Sequence, residues 1–242
     1  MIPRIIHQTW KTHEVPERWL AWQRSWRENH PAYEYRYWTD ADNREFMARH
    51  YPEFLPIYDG YKLGVHRADM VRYFIVRHFG GVYVDMDFEA LKPLDSFLDG
   101  KQLIFGLEPQ THARRPPVLQ RGLSRIVCNA FIASEPGHPF WDFFLPRLVA
   151  AKDEEDVLDA TGPFVLTRAC DAYVRPEDIS VVSADILYPI DNEQVRSLDD
   201  AQIKSRLQQA LAVHHWQGTW MRDAVLMEAR NRIARRRKQN VS

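Results

Sequence analysis

A helix end, a glycine pair and a strand meet in the stretch Gly80-Gly81-Val82-Tyr83-Val84-Asp85-Met86-Asp87. The glycines end a helix predicted over residues 64–79, since glycine is favoured where a helix stops. The β-branched and aromatic run 82–84 then predicts a short strand, which delivers Asp85 and Asp87. Because ligands of α/β sheets bind outside the carboxyl ends of the strands, we expect a site at these two carboxylates.

Alternating strand and helix patterns extend from this stretch towards both ends of the chain. They predict an α/β sheet, mostly parallel, with helices on both faces. Strands are predicted at residues 4–8, 33–38, 103–107, 179–182 and 212–215. Helices are predicted at residues 16–27, 39–50 and 139–151, and from residue 219 onward, while residues 127–133 and 161–173 are further segments without an assigned type. Residues 108–122 are rich in Pro, Arg and Gln and are predicted to form a long surface loop, of the kind that often acts as a lid.

Length and composition indicate one globular enzyme domain. The chain has 242 residues, of which 45% are hydrophobic, and a single core can grow to roughly 250 residues. We therefore expect a single domain over residues 1–242 that ends in a basic helix over about 220–242. The formal net charge of -1 argues against a nucleic-acid partner, because neutralising phosphates needs an excess of Lys and Arg on one surface.

The expected location of the protein is cytoplasmic. No stretch approaches the roughly 20 apolar residues of a membrane span, and the first residues do not resemble a secretion signal. Cys128 and Cys170 are far apart and form no metal-type or redox-type pair, which indicates reduced core thiols. The basic tail is either a solvated helix end or a peripheral contact with the inner face of the membrane. Its basic residues are Arg230, Arg232, Arg235, Arg236, Arg237 and Lys238.

Asp85 and Asp87 are the candidate metal ligands. Because they are two positions apart at a strand end, both side chains project to one side. Two carboxylates this close repel each other unless a cation lies between them, and oxygen ligands suit Mg²⁺ or Mn²⁺. His214 and His215 lie on a late predicted strand, and at most one of them can face the same metal. The alternative for Asp85 and Asp87 is a pair of surface acids without a metal. The alternative for His214 and His215 is a pair of ordinary half-buried histidines.

Two more groups of residues are candidates for ligand contacts. Asp69 and Arg72 are three positions apart on the predicted helix, which makes them neighbours on one face. They form either a surface ion pair or a pair that binds ligand hydroxyl groups beside the metal. Trp10 follows the first predicted strand, where its flat indole can stack on a nucleobase. The alternative for Trp10 is a core position, as for most of the eight tryptophans.

Several common catalytic motifs are absent from the sequence. It contains no G-x-x-x-x-G-K-S/T loop, no G-x-G-x-x-G, no G-x-S-x-G and no H-E-x-x-H. Phosphate-binding-loop enzymes, dinucleotide enzymes, serine hydrolases and zinc proteases of these types are therefore disfavoured.

Four sequence blocks resemble glycosyltransferase family 32, the family with a DXD-containing sugar-binding region. The family includes yeast initiating α-1,6-mannosyltransferases and inositol-phosphoceramide mannosyltransferases, and the chain looks like a bacterial-type member. The blocks are residues 2–10 (IPRIIHQTW), 68–73 (ADMVRY), 80–87 (GGVYVDMD) and 214–220 (HHWQGTW). Together they span nearly the whole chain.

The resemblance implies a GT-A fold, which is a Rossmann-like, mostly parallel sheet flanked by helices. It also implies a retaining, metal-dependent transfer of a hexose-type sugar from a nucleotide-sugar, either a GDP-sugar or a UDP-sugar. The acceptor is expected to be a hydroxyl of a glycan or glycolipid, in cell-surface polysaccharide synthesis. Mn²⁺ or Mg²⁺ is expected to join the donor diphosphate to Asp85 and Asp87, with His214 as the third ligand and His215 as the second choice.

The family pattern also assigns roles to individual residues. It places Asp85, Asp87, Asp69 and Arg72 in catalysis, the last two as contacts to the donor sugar and diphosphate. The donor-binding set comprises His7, Gln8, Thr9, Trp10, Asp69, Arg72 and Asp85. Asn129, Thr161 and Gly162 are expected on the acceptor side, without individual roles. Ala68 departs from the serine that the family often has there, so any contact from that hydroxyl is absent.

Two alternative functions and one mechanistic choice follow from these residues. The alternatives are a toxin-like glycosyltransferase that modifies a protein and a catalytically idle protein that binds nucleotide-sugars. Retention needs either an enzyme nucleophile or same-face attack assisted by the departing phosphate. Because no residue stands out as a nucleophile, same-face attack is favoured.

Overall fold

Six strands form a central sheet in the structure, a computed structural model that describes residues 1–219 and residue 221. The strands are β1 (Ile5–Thr9), β2 (Glu34–Trp38), β3 (Gly81–Val84), β4 (Phe88–Ala90), β5 (Leu103–Leu107), β6 (Val127–Ser134), β7 (Ser180–Val182) and β8 (Ala212–His214). The order across the central sheet is β2-β1-β3-β6-β5-β7. Since only β6 runs against its neighbours, the expected mostly parallel sheet is confirmed.

Helices cover both faces of this sheet. The longer ones are α1 (Glu17–Asn29), α2 (Asp40–His50), α4 (Gly64–Phe79), α8 (Pro139–Ala150), α10 (Pro163–Ala172) and α12 (Ala201–Gln209). The short ones are α3 (Leu55–Gly60), α5 (Asp95–Leu98), α6 (Gln110–Ala113), α7 (Pro116–Leu119), α9 (Val157–Ala160) and α11 (Ala184–Leu187). Single 3-10 turns lie at Pro176–Asp178 and Gln194–Arg196.

The two faces of the sheet bury separate apolar clusters. Along β3, Tyr83 packs into the cluster formed with α4, α8 and α10, whereas Val82 and Val84 pack into the cluster on the opposite face. This alternation is what a strand buried on both faces requires. Both clusters hold β3 firmly, which positions the residues that follow it.

The connection from α4 to β3 requires its two glycines. Gly80 and Gly81 have positive φ angles of 65° and 89°, which side chains disfavour. A Cβ atom on Gly81 would lie 2.6 Å from the carbonyl oxygen of Ile5. The close approach of β3 to β1 therefore depends on glycine at this point.

A second, small sheet brings a late part of the chain to the end of β3. In it β4 pairs with β8 in antiparallel fashion, with Phe88 opposite His214. Since β4 starts just after Asp87, this pairing carries residues 214–217 to the carboxyl end of β3. The carboxyl ends of β1, β3 and β5 lie at that same edge, because all three strands run in one direction.

The structure corrects one expected element and adds several. Residues 108–122 are not a long loop, because they contain α6 and α7, whose buried Ala113 and Val118 fill a small apolar cluster with Phe164. The strand β4 and the short helices α5, α9 and α11 were not expected from the sequence, and neither was α12. The predicted basic helix over 220–242 lies outside the described residues, apart from residue 221. Among the described residues, no helix combines the length and apolar character needed to cross a bilayer.

Candidate active site

A cleft of about 860 Å³ opens at the edge where β1, β3 and β5 end. Its lining includes the residues that follow these strands, which are Trp10, Asp85 and Glu108 respectively. Further lining residues come from α4, β6 and the segment around β8, namely Asp69, Arg72, Asn129, His214 and Trp216. The edge that the topology marks as the ligand site is therefore the edge that carries the cleft.

Asp85, Asp87 and His214 converge in the middle of this cleft. One ligand atom from each lies within 4.8 Å of the others, the only such cluster found in the part of the chain that the structure describes. His214 Nε2 lies 3.1 Å from Asp87 Oδ1. Two atoms that bind one ion at about 2.1 Å lie roughly 3 Å apart when they are adjacent. The two carboxylates and the imidazole thus fit a divalent metal.

Asp87 is held in its ionised form. His214 and the backbone N–H of Gln217, 2.8 Å from Asp87 Oδ2, outweigh the effect of burial and lower the pKa of Asp87 to about 2. Burial alone would lower the pKa of His214, but the carboxylates of Asp87, Asp85 and Glu108 raise it above its ordinary value. Asp87 therefore keeps its negative charge, which favours a cation beside it.

Asp85 is oriented by contacts on three sides. Tyr83 Oη donates a hydrogen bond of 2.9 Å to Asp85 Oδ1, and Arg72 Nη1 lies 3.2 Å from the same oxygen. Beneath the cleft, Gln8 Nε2 donates to the backbone carbonyl of Asp85 at 3.1 Å, and Tyr35 Oη donates to Gln8 Oε1 at 2.6 Å. Burial raises the pKa of Asp85, Arg72 lowers it and Asp87 raises it further. A bound cation would offset this repulsion between the two carboxylates.

Asp69 and Arg72 form a buried ion pair in the cleft wall. Arg72 Nη2 lies 2.7 Å from Asp69 Oδ1, and the two residues are only 5% and 6% exposed. The alternative of a surface ion pair is therefore wrong. Burial raises the pKa of Asp69 to about 7, while Arg72 acts in the opposite direction.

Asn129 and Thr161 surround the same carboxylate. Asn129 Nδ2 donates to Asp69 Oδ1 at 3.2 Å, and Thr161 Oγ1 donates to Asp69 Oδ2 at 3.4 Å. Arg72 Nη1 also donates to the backbone carbonyl of Asn129 at 2.9 Å. Asn129 lines the cleft, whereas Thr161 and Gly162 lie outside its lining. Of the three residues expected on the acceptor side, Asn129 and Thr161 contact Asp69, and only Asn129 lines the cleft.

The residues after β1 divide between the cleft and the interior. Thr9 and Trp10 line the cleft, and Trp10 is half-buried with its ring packed edge-on against Trp19 at 4.4 Å. His7 and Gln8 are fully buried beneath it. His7 bonds to the carbonyl of Gly80 and to the indole of Trp38, so the structure does not support its expected direct donor contact. Gln8 acts through Asp85 instead.

His215 points away from the carboxylate pair. Its Nε2 lies 2.8 Å from Glu89 Oε2, and its ring stacks on Trp22 with centroids 4.0 Å apart. Of the two candidate histidines, the structure brings only His214 to the cluster. The next residue, Trp216, has a φ angle of 49°, unusual for a bulky side chain, and it packs edge-on against His214 at 4.3 Å. Such backbone strain is often found at functional sites.

Several lining residues were not singled out from the sequence. Glu108 offered a usable signal, because it is a carboxylate directly after a predicted strand. His112 and Asn192 offered no such signal, since they reach the cleft through a short helix and a turn, whereas Trp216 belongs to the block 214–220 without an assigned role.

A family model matches the part of the chain that holds most of these residues. Its description is a glycosyltransferase sugar-binding region containing a DXD motif, and it matches residues 16–104. That range includes Asp69, Arg72, Asp85 and Asp87. The D-x-D pair of the motif is therefore the pair found at the end of β3.

Curated relatives agree with this match. The chain is 43% identical over 182 residues to inositol phosphoceramide mannosyltransferase 2 of Schizosaccharomyces pombe, covering 72% of this chain and 48% of that protein. It is 34% identical over 183 residues to a mannosyl phosphorylinositol ceramide synthase of Saccharomyces cerevisiae, covering 72% and 43%. The chain thus spans about half the length of these relatives.

The fold has counterparts among solved glycosyltransferases. The PaToxG glycosyltransferase superposes with a TM-score of 0.52 at 17% identity, covering 86% of this chain and 78% of that one. This likeness confirms the GT-A fold expected from the sequence. From the matched region, the relatives and the position of Asp85 and Asp87, the chain belongs to the glycosyltransferase family that carries the DXD-containing sugar-binding region.

Proposed function

We propose that this chain is a metal-dependent glycosyltransferase that moves a hexose-type sugar from a nucleotide-sugar to a hydroxyl of a glycan or glycolipid, with retention of configuration. One observation carries the proposal: Asp85, Asp87 and His214 converge in a cleft whose wall holds the buried pair of Asp69 and Arg72. A nucleotide-sugar needs a cation beside its diphosphate and polar groups beside its sugar. The two carboxylates can hold the cation, and the buried polar pair lies next to them.

Asp85, Asp87 and His214 are the proposed metal ligands. Carboxylate oxygens suit Mg²⁺ and Mn²⁺, and the imidazole nitrogen makes Mn²⁺ the better fit of the two. When bound, the metal stabilises negative charge on the departing diphosphate. The chain contributes the rigid placement of the ligands, because Arg72 and Tyr83 hold Asp85, and Gln217 holds Asp87.

Asp69 and Arg72 are the proposed contacts to the donor sugar and diphosphate. Arg72 is a fixed cation that cannot lose its proton in proteins, so it can stabilise developing negative charge beside Asp85. Asp69 accepts hydrogen bonds from Asn129 and Thr161, and its carboxylate faces the cleft between them and Arg72. A carboxylate in that position accepts hydrogen bonds from sugar hydroxyls.

The nucleobase is proposed to stack on Trp10. This residue lies on the β1 side of the metal ligands, and Trp19 supports its ring from the edge. Stacking on an aromatic ring tolerates either base, so a GDP-sugar and a UDP-sugar are both compatible with it.

Same-face attack is the proposed route to retention. Arg72 lies within 3.2 Å of both Asp69 and Asp85, and His214 lies 3.1 Å from Asp87. Asp69 and Asp85 are therefore engaged by a guanidinium and Asp87 by an imidazole, which makes all three carboxylates poor nucleophiles. In same-face attack, the acceptor oxygen bonds to the anomeric carbon, the bond from that carbon to the phosphate oxygen breaks, and the hydroxyl proton passes to the departing phosphate.

A mannosyl donor and a lipid-linked acceptor are the first pair to test. The names of the S. pombe and S. cerevisiae relatives describe mannosyl transfer to inositol phosphoceramide. One wall of the cleft is apolar, which suits an acceptor with a lipid part: its side chains include Val118, Ile126, Leu158 and Phe164. We propose a role in building cell-surface glycans or glycolipids on this basis.

Calorimetric titration with GDP and with UDP, each with and without Mn²⁺, tests the nucleotide and metal parts of the proposal together. We expect one nucleotide to bind only with Mn²⁺, and Asp87→Ala to lose that binding. Asp142→Ala, which removes an exposed carboxylate on α8, is the matched control and should bind as the wild type does. No binding of either nucleotide to the wild type would overturn the proposal. Binding without transfer from any donor sugar would favour the catalytically idle alternative.

A further inference from the structure

Glu108 lies at the opposite end of the cleft from Trp10. It follows β5 directly, and β5 is separated from β3 by the single strand β6. Neighbouring strands are about 4.8 Å apart, so the ends of β3 and β5 are separated by roughly 10 Å. Along the edge of the sheet, Trp10 comes first, then Asp85, then the Asp69–Asn129 group beside β6, and finally Glu108.

This order leaves the Glu108 end for the acceptor. If the nucleobase lies at Trp10 and the diphosphate at Asp85, the donor sugar lies beside Asp69 and Asn129. The group that attacks the sugar then approaches from the far side of β6, which is where Glu108 lines the cleft.

A chain of hydrogen bonds fixes the Glu108 carboxylate. His112 Nδ1 lies 2.8 Å from Glu108 Oε2, and His112 Nε2 lies 3.0 Å from Asn192 Oδ1. Arg115 also donates to Asn192 Oδ1, which identifies that atom as the amide oxygen. His112 Nε2 must therefore carry a hydrogen and donate the hydrogen bond to Asn192 Oδ1. The other hydrogen bond, between His112 Nδ1 and Glu108 Oε2, contains a second hydrogen.

Packing makes this arrangement rigid. His112 is 3% exposed, and Trp216 packs edge-on against its ring with centroids 4.6 Å apart. Trp216 is itself fixed by a hydrogen bond from its indole to the carbonyl of Ile190. The same tryptophan packs against His214, so one side chain supports both the metal cluster and the Glu108–His112 pair.

The second oxygen of Glu108 has no hydrogen bond among the described residues. The side chain is only 10% exposed, and its hydrogen bond with His112 engages Oε2. Because Glu108 lines the cleft, a ligand bound there can donate a hydrogen bond to this carboxylate. Hydroxyl groups are suitable donors to such an oxygen.

We propose that Glu108 Oε1 binds a hydroxyl of the acceptor, and that the acceptor presents a sugar or another polyol to this end of the cleft. His112, Asn192 and Arg115 are positioning residues that hold the carboxylate. The inference rests on the proposed function. Glu108 forms no covalent bond in it, because the attacking hydroxyl gives its proton to the departing phosphate oxygen and Glu108 only orients the acceptor.

The test measures acceptor binding separately from donor turnover. Glu108→Met removes the carboxylate while keeping a similar length, and Glu108→Gln keeps the shape but leaves only a neutral amide. The matched control is Glu135→Met. Glu135 follows the end of β6 that lies away from the cleft, and its carboxylate pairs with the amino group of Met1. Thermal unfolding first establishes that each variant is folded.

The binding measurement uses saturation-transfer NMR of myo-inositol and methyl α-D-mannopyranoside in the presence of Mg²⁺ with GDP or UDP. We expect the wild type and Glu135→Met to bind at least one polyol, and Glu108→Met to bind it roughly 10- to 100-fold more weakly, the range for a hydrogen bond to a charged group. Glu108→Gln should fall between them, because neutral hydrogen bonds are about half as strong. No polyol signal from the wild type, or equal signals from the wild type and Glu108→Met, overturns the inference.

Donor hydrolysis separates this inference from the proposed function. Wild-type protein that hydrolyses no nucleotide-sugar contradicts the proposed function, whatever the polyols do. If the wild type is active, Glu108→Met should raise the acceptor KM roughly 10- to 100-fold, and by a larger factor than it changes the donor KM. A parallel loss of hydrolysis would place Glu108 on the donor and overturn the acceptor role. His112→Phe preserves the packing against Trp216 and should reproduce the split between acceptor KM and donor KM.

Discussion

His214 Nε2 lies 3.1 Å from Asp87 Oδ1, although the two residues are 127 positions apart in the chain. The pairing of β4 with β8 produces this contact, because it places His214 opposite Phe88, the residue after Asp87. The metal cluster therefore depends on a strand from the late part of the chain. That dependence leads to predictions about Asp87 and, separately, about the two neighbouring histidines.

Asp87→Ala should reduce sugar transfer by at least about 100-fold, the scale for losing one group that stabilises charge in the transition state. The fold should survive, because the Asp87 side chain forms its hydrogen bonds in the described part of the chain with His214 and the backbone N–H of Gln217. Initial rates with a radiolabelled donor, alongside circular dichroism, check both statements. Near-normal turnover in a folded variant would contradict the proposed metal role.

Trp10→Ala should weaken nucleotide binding by about 1–3 kcal/mol, the range for a base stacked on an aromatic side chain. Trp10 faces the cleft at the β1 end, and no other described tryptophan except Trp19 and Trp216 lines it. Titration with the nucleotide that the wild type prefers measures the change. Trp10→Phe keeps an aromatic face and should retain most of the affinity. Equal affinity of the wild type and Trp10→Ala would move the base to another part of the cleft.

Much of this arrangement was predictable because local signals agreed with the final structure. The two glycines, the apolar strand and the paired carboxylates of residues 80–87 occupy the expected positions at the end of β3. The i,i+3 spacing identified Asp69 and Arg72 as neighbours, and the structure adds that the pair is buried. Trp10 likewise lies in the cleft because it directly follows a strand.

Other parts of the site could not be derived from local sequence. Glu108 is held by His112 from α6, and His112 is held in turn by Asn192. The segment of His112 is ordered by packing against Phe164 and Trp216 rather than by its own helix propensity. The choice between His214 and His215 depends on the register between β4 and β8, since a shift of one residue exchanges the two faces. The burial of His7 follows from its contacts with Gly80 and Trp38, which are distant in sequence.

His7 should make the protein less stable in acid. Its Nδ1 accepts from the indole N–H of Trp38 and its Nε2 faces a carbonyl oxygen, so the fold accepts only the neutral imidazole. Burial lowers the pKa of His7 from 6.5 to about 4. Between these pH values the unfolded chain binds a proton that the folded chain does not, so stability is complete above pH 6.5 and is lost as the pH falls towards 4.

The contribution of His7 is on the order of 3 kcal/mol, from 1.36 kcal/mol per pKa unit. Urea unfolding of the wild type and of His7→Gln at a series of pH values measures it. The difference in unfolding free energy between the two proteins should shrink as the pH falls through this window. His13→Gln, which changes an exposed histidine, should follow the wild type throughout. Parallel curves for the wild type and His7→Gln would show that His7 does not titrate as expected.

Arg72→Met should destabilise the fold by roughly 3–5 kcal/mol, because it leaves the buried carboxylate of Asp69 without a counter-charge. The double variant Asp69→Asn with Arg72→Met should be more stable than Arg72→Met alone, since the uncompensated charge is then absent. Chemical unfolding of the three variants measures the coupling. Arg44→Met breaks an exposed ion pair with Asp59 and should change stability little. Additive effects of the two substitutions would argue against a coupled buried pair.

His214→Gln and His215→Gln form a matched pair of neighbouring substitutions with opposite expected outcomes. His214→Gln removes the imidazole that lies against Asp87, so Mn²⁺-dependent nucleotide binding should weaken by at least about tenfold, the lower end for disturbed metal sites. His215→Gln removes a ring that stacks on Trp22 and contacts Glu89, so it should lower thermal stability and leave metal dependence unchanged. Titrating each variant with Mn²⁺ at fixed nucleotide separates affinity from stability. If His215→Gln lost metal dependence and His214→Gln kept it, the strand register that joins β4 to β8 would have to differ by one residue.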